Sequence, residues 1–422
     1  MNTNVDYSPA KFKENVHEYI VRNIKKCVRF EPKDQDTLIG LPYPYLVPSI
    51  SDAFQEMYYW DTYFACKGLL LENETDIAKN CAEDMAYLIE RYGFMPNGNR
   101  TRYLGHSQPP YFCMLVDEVY KKTEDIDWLY KMYPFIEKEY HFWMTSRLSK
   151  IGLNYYSSAD FDEAEGRIAY EDITKRVKYK KPISLYKSYA DFAENALAEC
   201  ESGWDFNPRF DFLCKSFAPA DLNSNLYEYE VLMGKFSIIL QNGRESEWQK
   251  RAEVRADLMR RYSWNGSYFA DYNFNENTHS PVFSAAAFHP LFVGLATEAE
   301  AESTRKLLYK IEMPHGIAAC EKLSGHASYQ WAYPNAWAPL HDITVLGLSK
   351  YGYKEDALRI AGKYVAAIDG IFESTHNLWE KYNAEDGTIK VVNEYEMPKM
   401  LGWTAGVYLM LENYIKENGK EA

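Results

Sequence analysis

Apolar residues in this chain recur at helical spacing, while runs at strand spacing are few and short. Between Thr75 and Gly93 they fall at Ile77, Ala78, Cys81, Met85, Leu88 and Ile89, one stripe on a 3.6-residue period. The spacing predicts a helix there, capped by Thr75 and stopped by Gly93. A second clear stripe uses Ala357, Leu358, Ala361, Tyr364, Val365 and Ile368 and predicts a helix over 353–368. Less regular patterns predict helices over 126–148, 184–200, 221–240, 245–262, 298–311 and 337–351. These stripes read as core faces, so the chain is expected to be all-α. No charged linker or low-complexity tract divides it, and no repeat of fixed period suggests a solenoid. One continuous domain over 1–422 is expected, with 1–30 as an N-terminal helical extension.

Composition narrows the partners. A formal charge of -14, with no basic run to outweigh it, repels polyanions, so nucleic acid and anionic membranes are poor partners and a small neutral ligand is favoured. No stretch approaches the roughly 18 apolar residues of a membrane span. Near the N-terminus, Lys11, Lys13, Glu14, Arg22, Lys25 and Lys26 break every apolar run, so no secretory signal is legible. The seven cysteines are scattered without C-x-x-C spacing, against both a disulfide framework and a zinc site, and a cytoplasmic protein is expected. Aromatic residues make up 16% of the chain; they can stack on the C–H faces of sugar rings, or simply fill a core.

The loops between the predicted helices carry dense polar-aromatic clusters, where function is expected to sit. Phe54 to Asp61 places Tyr58, Tyr59 and Trp60 beside carboxylates and reads equally as a helix start or a sugar platform. Next come Met95-Pro96-Asn97-Gly98 and His106-Ser107-Gln108-Pro109-Pro110, where the prolines fit the first turn of a following helix and leave His106 and Gln108 at its mouth. In Glu201-Ser202-Gly203-Trp204-Asp205-Phe206, Gly203 and Pro208 oppose helix continuation. If Trp204 and Phe206 desolvate Asp205, it can keep a proton near neutral pH and act as an acid; the alternative is a structural pair with Arg209. Gln330-Trp331 and Trp337-Ala338-Pro339 can hydrogen-bond and stack, or form a surface turn. Glu380 and Glu394, the latter followed by Gly402-Trp403, are both candidate bases.

As a set these loops resemble the trehalases and their clan relatives, the mannosylglycerate hydrolases and N-glycan-processing glucosidases. The motifs are Tyr59-Trp60-Asp61, Pro96-Asn97-Gly98, Ser107-Gln108-Pro109-Pro110, Glu201 to Phe206, Gln330-Trp331 with Trp337-Ala338-Pro339, and Glu380-Lys381-Tyr382, in family order. The resemblance implies an (α/α)6 barrel with a closed sugar pocket in its loops at one end, inversion at the anomeric carbon, and no metal or organic cofactor. It implies Asp205 as general acid and Glu380 as general base, with carboxyls roughly 6.5 to 9.5 Å apart to admit a water. By the same resemblance Phe54, Tyr59, Trp60, Asp61, Asn97, His106, Gln108, Gly203, Trp204, Gln330, Trp331, Trp337, Glu394 and Trp403 are expected around the sugar.

The chain departs from the family at its walls. Ser51-Asp52-Ala53-Phe54 stands where trehalases carry Gly-Gly-Arg-Phe, His106 stands where an arginine is usual, Ala332 replaces an Asp and Ala336 a Gly. Lys390-Val391-Val392-Asn393 replaces the glycine-rich run before Glu394. The expected substrate is trehalose or a related small α-linked glycoside. The alternatives are another α-glucoside or α-mannoside such as mannosylglycerate, a sugar-binding protein that has lost catalysis, and a helical scaffold.

Overall fold

The computed structural model describes residues 15–51, 53–178, 181–324, 329–399 and 402–419. Their helices are α1 (Val16–Asn23), α2 (Tyr59–Leu71), α3 (Thr75–Tyr92), α4 (Phe112–Thr123), α5 (Ile126–Ser146), α6 (Glu163–Arg176) and α7 (Tyr189–Glu201). There follow α8 (Ala220–Ile239), α9 (Glu245–Tyr262), α10 (His289–Phe292), α11 (Glu298–Arg305), α12 (Ala338–Lys350), α13 (Lys354–Thr375) and α14 (Gly402–Asn418). The strands described are pairs of two or three residues. Six helices close a ring, α2 on α4, α4 on α8, α8 on α10, α10 on α12, α12 on α14 and α14 on α2; α3, α5, α9 and α13 pack around it. This is the (α/α)6 architecture.

The inner helices differ from the outer ones in burial. In α2 every residue from Tyr59 to Leu70 is buried, because neighbours cover all its faces. The outer α9 buries only Trp248, Ala252, Arg255, Ala256 and Met259, and its charges sit as the helix dipole favours, Glu245 and Glu247 in the first turn and Arg260 and Arg261 in the last. α2 and α14 cross closely enough that a Cβ on Gly68 would lie 2.6 Å from Gly406 Cα, so both positions need glycine. α6 and α7 pack on each other outside the ring, over a separate apolar cluster that includes Tyr170, Ile173, Phe192, Ala196, Phe206 and Phe212.

Two expected helix starts are corrected. Thr75 is the first residue of α3 rather than its cap; Glu74 occupies that place without a side-chain cap bond, while Gly93 does stop the helix in the left-handed conformation. Pro109 and Pro110 precede α4 instead of forming its first turn. The N–H groups of Tyr111 and Phe112 are satisfied by the Tyr59 hydroxyl, at 3.0 and 2.9 Å, a cap from another helix that local sequence does not reveal. Of the expected N-terminal extension, residues 1–14 lie outside the described residues; the part that follows, α1, buries Val16 and Ile20 against the main core.

Candidate active site

The N-termini of α2, α4, α12 and α14 come together at one end of the ring, beside a cavity of about 570 Å³. Its apolar wall is tryptophan. Trp331 and Trp337 stack with ring centroids 3.8 Å apart, Trp403 stands edge-on to both, and Trp60 lies 5.7 Å from Trp331. Flat rings beside hydrogen-bonding groups suit a sugar, which presents C–H faces and a rim of hydroxyls.

Glu380 enters from the barrel side. It begins the segment in which Lys381–Asn383 pairs antiparallel with Asn335–Trp337, the residues leading into α12. Both its carboxylate oxygens are engaged: Lys381 Nζ donates to Oε2 at 2.5 Å and the Tyr395 hydroxyl to Oε1 at 2.6 Å. Lys381 is itself held between the rings of Trp337 and Tyr395. Each oxygen keeps a further lone pair, so this carboxylate is fixed in place yet able to accept from a water.

Asp205 enters from a different support, the turn after α7. α7 ends at Glu201, and Gly203 reverses the chain at φ +75°; a Cβ there would meet the Trp60 ring at 2.8 Å. The Gln330 amide holds the Asp205 carbonyl at 3.0 Å. The partner of the Asp205 carboxyl is Arg176, the last residue of α6, whose Nη2 lies 3.2 Å from Oδ2. It is not Arg209, which is buried between Asp221 and Asp271. Nor do the flanking aromatics enclose the Asp205 carboxyl by themselves: Trp204 stacks on Trp331, Phe206 packs into the α6–α7 cluster, and the carboxyl remains 30% exposed.

Of the other expected residues, Phe54, Trp60, Asp61, Asn97, His106, Gln108, Gly203, Gln330, Trp331, Trp337 and Trp403 line the cavity with the two acids. Three do not. Tyr59 turns into the core, where its hydroxyl donates to Glu139 at 2.5 Å; Trp204 lies behind Trp331; Glu394 is buried behind Arg176, with Oε2 2.7 Å from Nε. Adjacent residues on a helix or turn point in different directions, which a contiguous motif conceals. Tyr58, which the sequence offered only as part of a sugar platform or a helix start, also lines the cavity, and the sequence reading missed Arg102, Tyr103, Arg176 and Tyr395 on the walls. The wall thus carries two arginines, at positions other than those where the family pattern lacks them here.

Burial sets the protonation of several groups. Asp61 is pushed up to about 8 by burial first and then by the charges of Glu380 and Asp205, so near neutral pH it holds a proton and can donate to a hydroxyl. Burial lowers His106, leaving the imidazole neutral; its Nδ1 and the Gln330 Oε1 are buried without a protein partner. Glu394 is lifted to about 7 by burial, against the pull of Arg176.

A six-membered inner ring of helices with two acids lining a tryptophan-walled cavity at one end defines the class, the (α/α)6-barrel glycoside hydrolases. Residues 3–415 match the trehalase family model, and the chain belongs to that family. It is 31% identical to a periplasmic trehalase of Xanthomonas oryzae pv. oryzae, over 92% of this chain and 70% of that protein. It is 30% identical to a periplasmic trehalase of Pseudomonas aeruginosa, over 89% and 72%. The neutral trehalase of Saccharomyces cerevisiae superposes with a TM-score of 0.77 at 28% identity, over 97% of this chain and 82% of that one. A mannosylglycerate hydrolase of Thermus thermophilus, at 14% identity and a TM-score of 0.65 over 94% and 100%, shares the fold.

The protein is therefore a glycosidase, and the sugar-binding and scaffold alternatives give way. The periplasmic relatives overturn the expectation of a cytoplasmic protein. The unpaired cysteines misled because all but Cys200 are buried, and burial pushes thiols such as Cys27 and Cys320 up to about 12. Among the described residues no helix is long and apolar enough to cross a membrane.

Proposed function

We propose that the chain acts as one catalytic unit that hydrolyses trehalose, or a closely related small α-linked glycoside, with inversion. Asp205 protonates the departing glycosidic oxygen as the anomeric C–O bond breaks. Glu380 draws a proton from a water whose oxygen bonds to the anomeric carbon from the opposite face, and two free sugars leave. The supporting observation is that these two acids, each in its family motif, line the same cavity from different supports, one from the barrel and one from the α6–α7 side. Lys381 and Tyr395 orient the base, Asp61, His106 and Gln330 offer hydrogen bonds to hydroxyls, and the tryptophans take the ring face.

Asp205→Asn is expected to lower kcat on trehalose by about 10²–10⁴-fold with an unchanged melting temperature. Undiminished turnover overturns the assignment. Anomeric NMR across a panel of α-glucosides and α-mannosides reads both the substrate and the stereochemistry.

A further inference from the structure

We propose that Glu394, which does not reach the cavity, is a positioning residue for the acid: by taking up the charge of Arg176 it leaves Asp205 able to hold the proton it donates. This rests on the reading of Asp205 as the general acid.

An arginine against a catalytic acid poses a problem of sign. A neighbouring guanidinium lowers a carboxyl by about 1–3 units, and an acid so stabilised as the anion has no proton for the leaving oxygen. In this site the guanidinium is shared unequally. Its Nε lies 2.7 Å from Glu394 Oε2, against 3.2 Å from Nη2 to Asp205 Oδ2. The Glu394 side chain is wholly buried while Asp205 keeps 30% exposure, so solvent screens the Asp205 contact more. The Phe206 ring, 5.2 Å from the guanidinium carbon, packs against the same group.

The other titratable groups facing Asp205 do not replace Arg176. They are Asp61 from α2, Cys200 from α7, His106 from the loop before α4, Tyr395 beside Glu394, and Glu380 and Arg102 on the walls of the same cavity. Of these only Arg102 is a cation near neutral pH, and it is engaged by Glu56 and the Tyr103 hydroxyl; burial keeps His106 unprotonated. Above about 7 Glu394 is ionised, which is the range where the alkaline limb of an acid-dependent rate is read.

The test is the pH profile of kcat/KM on trehalose. Glu394→Gln is expected to move the alkaline limb down by about one pH unit, the low end of the shift a bare arginine exerts. Arg176→Met is expected to move it up, and the double variant to return it toward wild type. With α-D-glucosyl fluoride, whose leaving group needs little protonation, the Glu394→Gln shift should vanish. An unmoved limb on trehalose, or an equal shift with the fluoride, overturns the inference. If Glu394→Gln does not fold, Arg176→Met carries the test, and an unmoved limb there overturns it equally. Asp205→Asn separates the two levels: full turnover sinks the acid assignment, whereas an inactive Asp205→Asn beside an unshifted Glu394→Gln sinks only the role of Glu394.

Discussion

The barrel ring and the α6–α7 pair meet at one cavity on very different amounts of buried apolar surface. The ring has a continuous core, and α2 is buried on every face from Tyr59 to Leu70. Of α6, only Gly166, Tyr170 and Ile173 are buried, and the cluster under α6 and α7 is small. At about 1.5–3 kcal/mol for each large apolar side chain buried, the ring far outweighs the pair. Glu380, with Trp60, Trp337 and Trp403, belongs to the ring; Asp205 and Arg176 belong to the lesser region. Glu380 and the flat wall thus sit on the more deeply packed of the two regions, and Asp205 on the one expected to open more readily.

Where the two regions join, Arg209 tests how separate they are. It follows Asp205 in the same turn and is buried between Asp221 at the start of α8 and Asp271. Arg209→Met leaves two buried carboxylates without their cation and is expected to cost about 3–5 kcal/mol in urea unfolding. Both regions should shift together, because the turn ties them. A fall confined to 163–201 would mean that the tie is weaker than the geometry implies.

A smaller and more local effect is expected from Phe192→Ala at the centre of the α6–α7 cluster. About 3 kcal/mol should be lost there, the low end for a buried phenylalanine, since a small cluster can close around the gap. Hydrogen exchange should quicken over 163–201 and kcat should fall, while α2 and α14 keep their protection. Equal quickening in α2 would break the comparison.

The smallest effect belongs to the ring side alone. Burial pushes Asp84 in α3 up to about 9, far above the roughly 3.9 of an unfolded Asp. The folded state therefore binds the extra proton, and this group's contribution is complete below about 4 and lost as pH rises through 9. Asp84→Asn does not titrate, so its melting temperature should gain on wild type between pH 5 and pH 6.5, by roughly 2 °C, at about 1.4 kcal/mol per pH unit and roughly 1 °C per kcal/mol for a chain of this length. A gap that does not change with pH refutes it.

The clearest helices in the sequence are those with one covered and one exposed face, though the exposed α6 was not among those predicted. α3, α9 and α13 show stripes because only one face of each is covered, and the expected 245–262 helix agrees with α9 at both ends. α2 and α14, buried on nearly every side, leave no stripe to detect and were not predicted as helices, although α8 and α12, almost as deeply buried, were found at 221–240 and 337–351. Asp205 and Glu380 stand in contiguous motifs that carry a family resemblance. Arg176 had no such signal: Thr174-Lys175-Arg176 reads like any solvated helix end, and its partners are 29 and 218 residues away along the chain. Its role exists only once the chain has closed.

The touching glycines of α2 and α14 carry no chemistry, yet they govern how this pocket can change. Because Gly68 and Gly406 leave no slack between the two backbones, α2, which opens with Tyr59-Trp60-Asp61, and α14, which opens with Gly402-Trp403, cannot slide independently. The pocket is a vice with one fixed jaw, so descendants of this chain that adopt a different sugar should differ chiefly on the other.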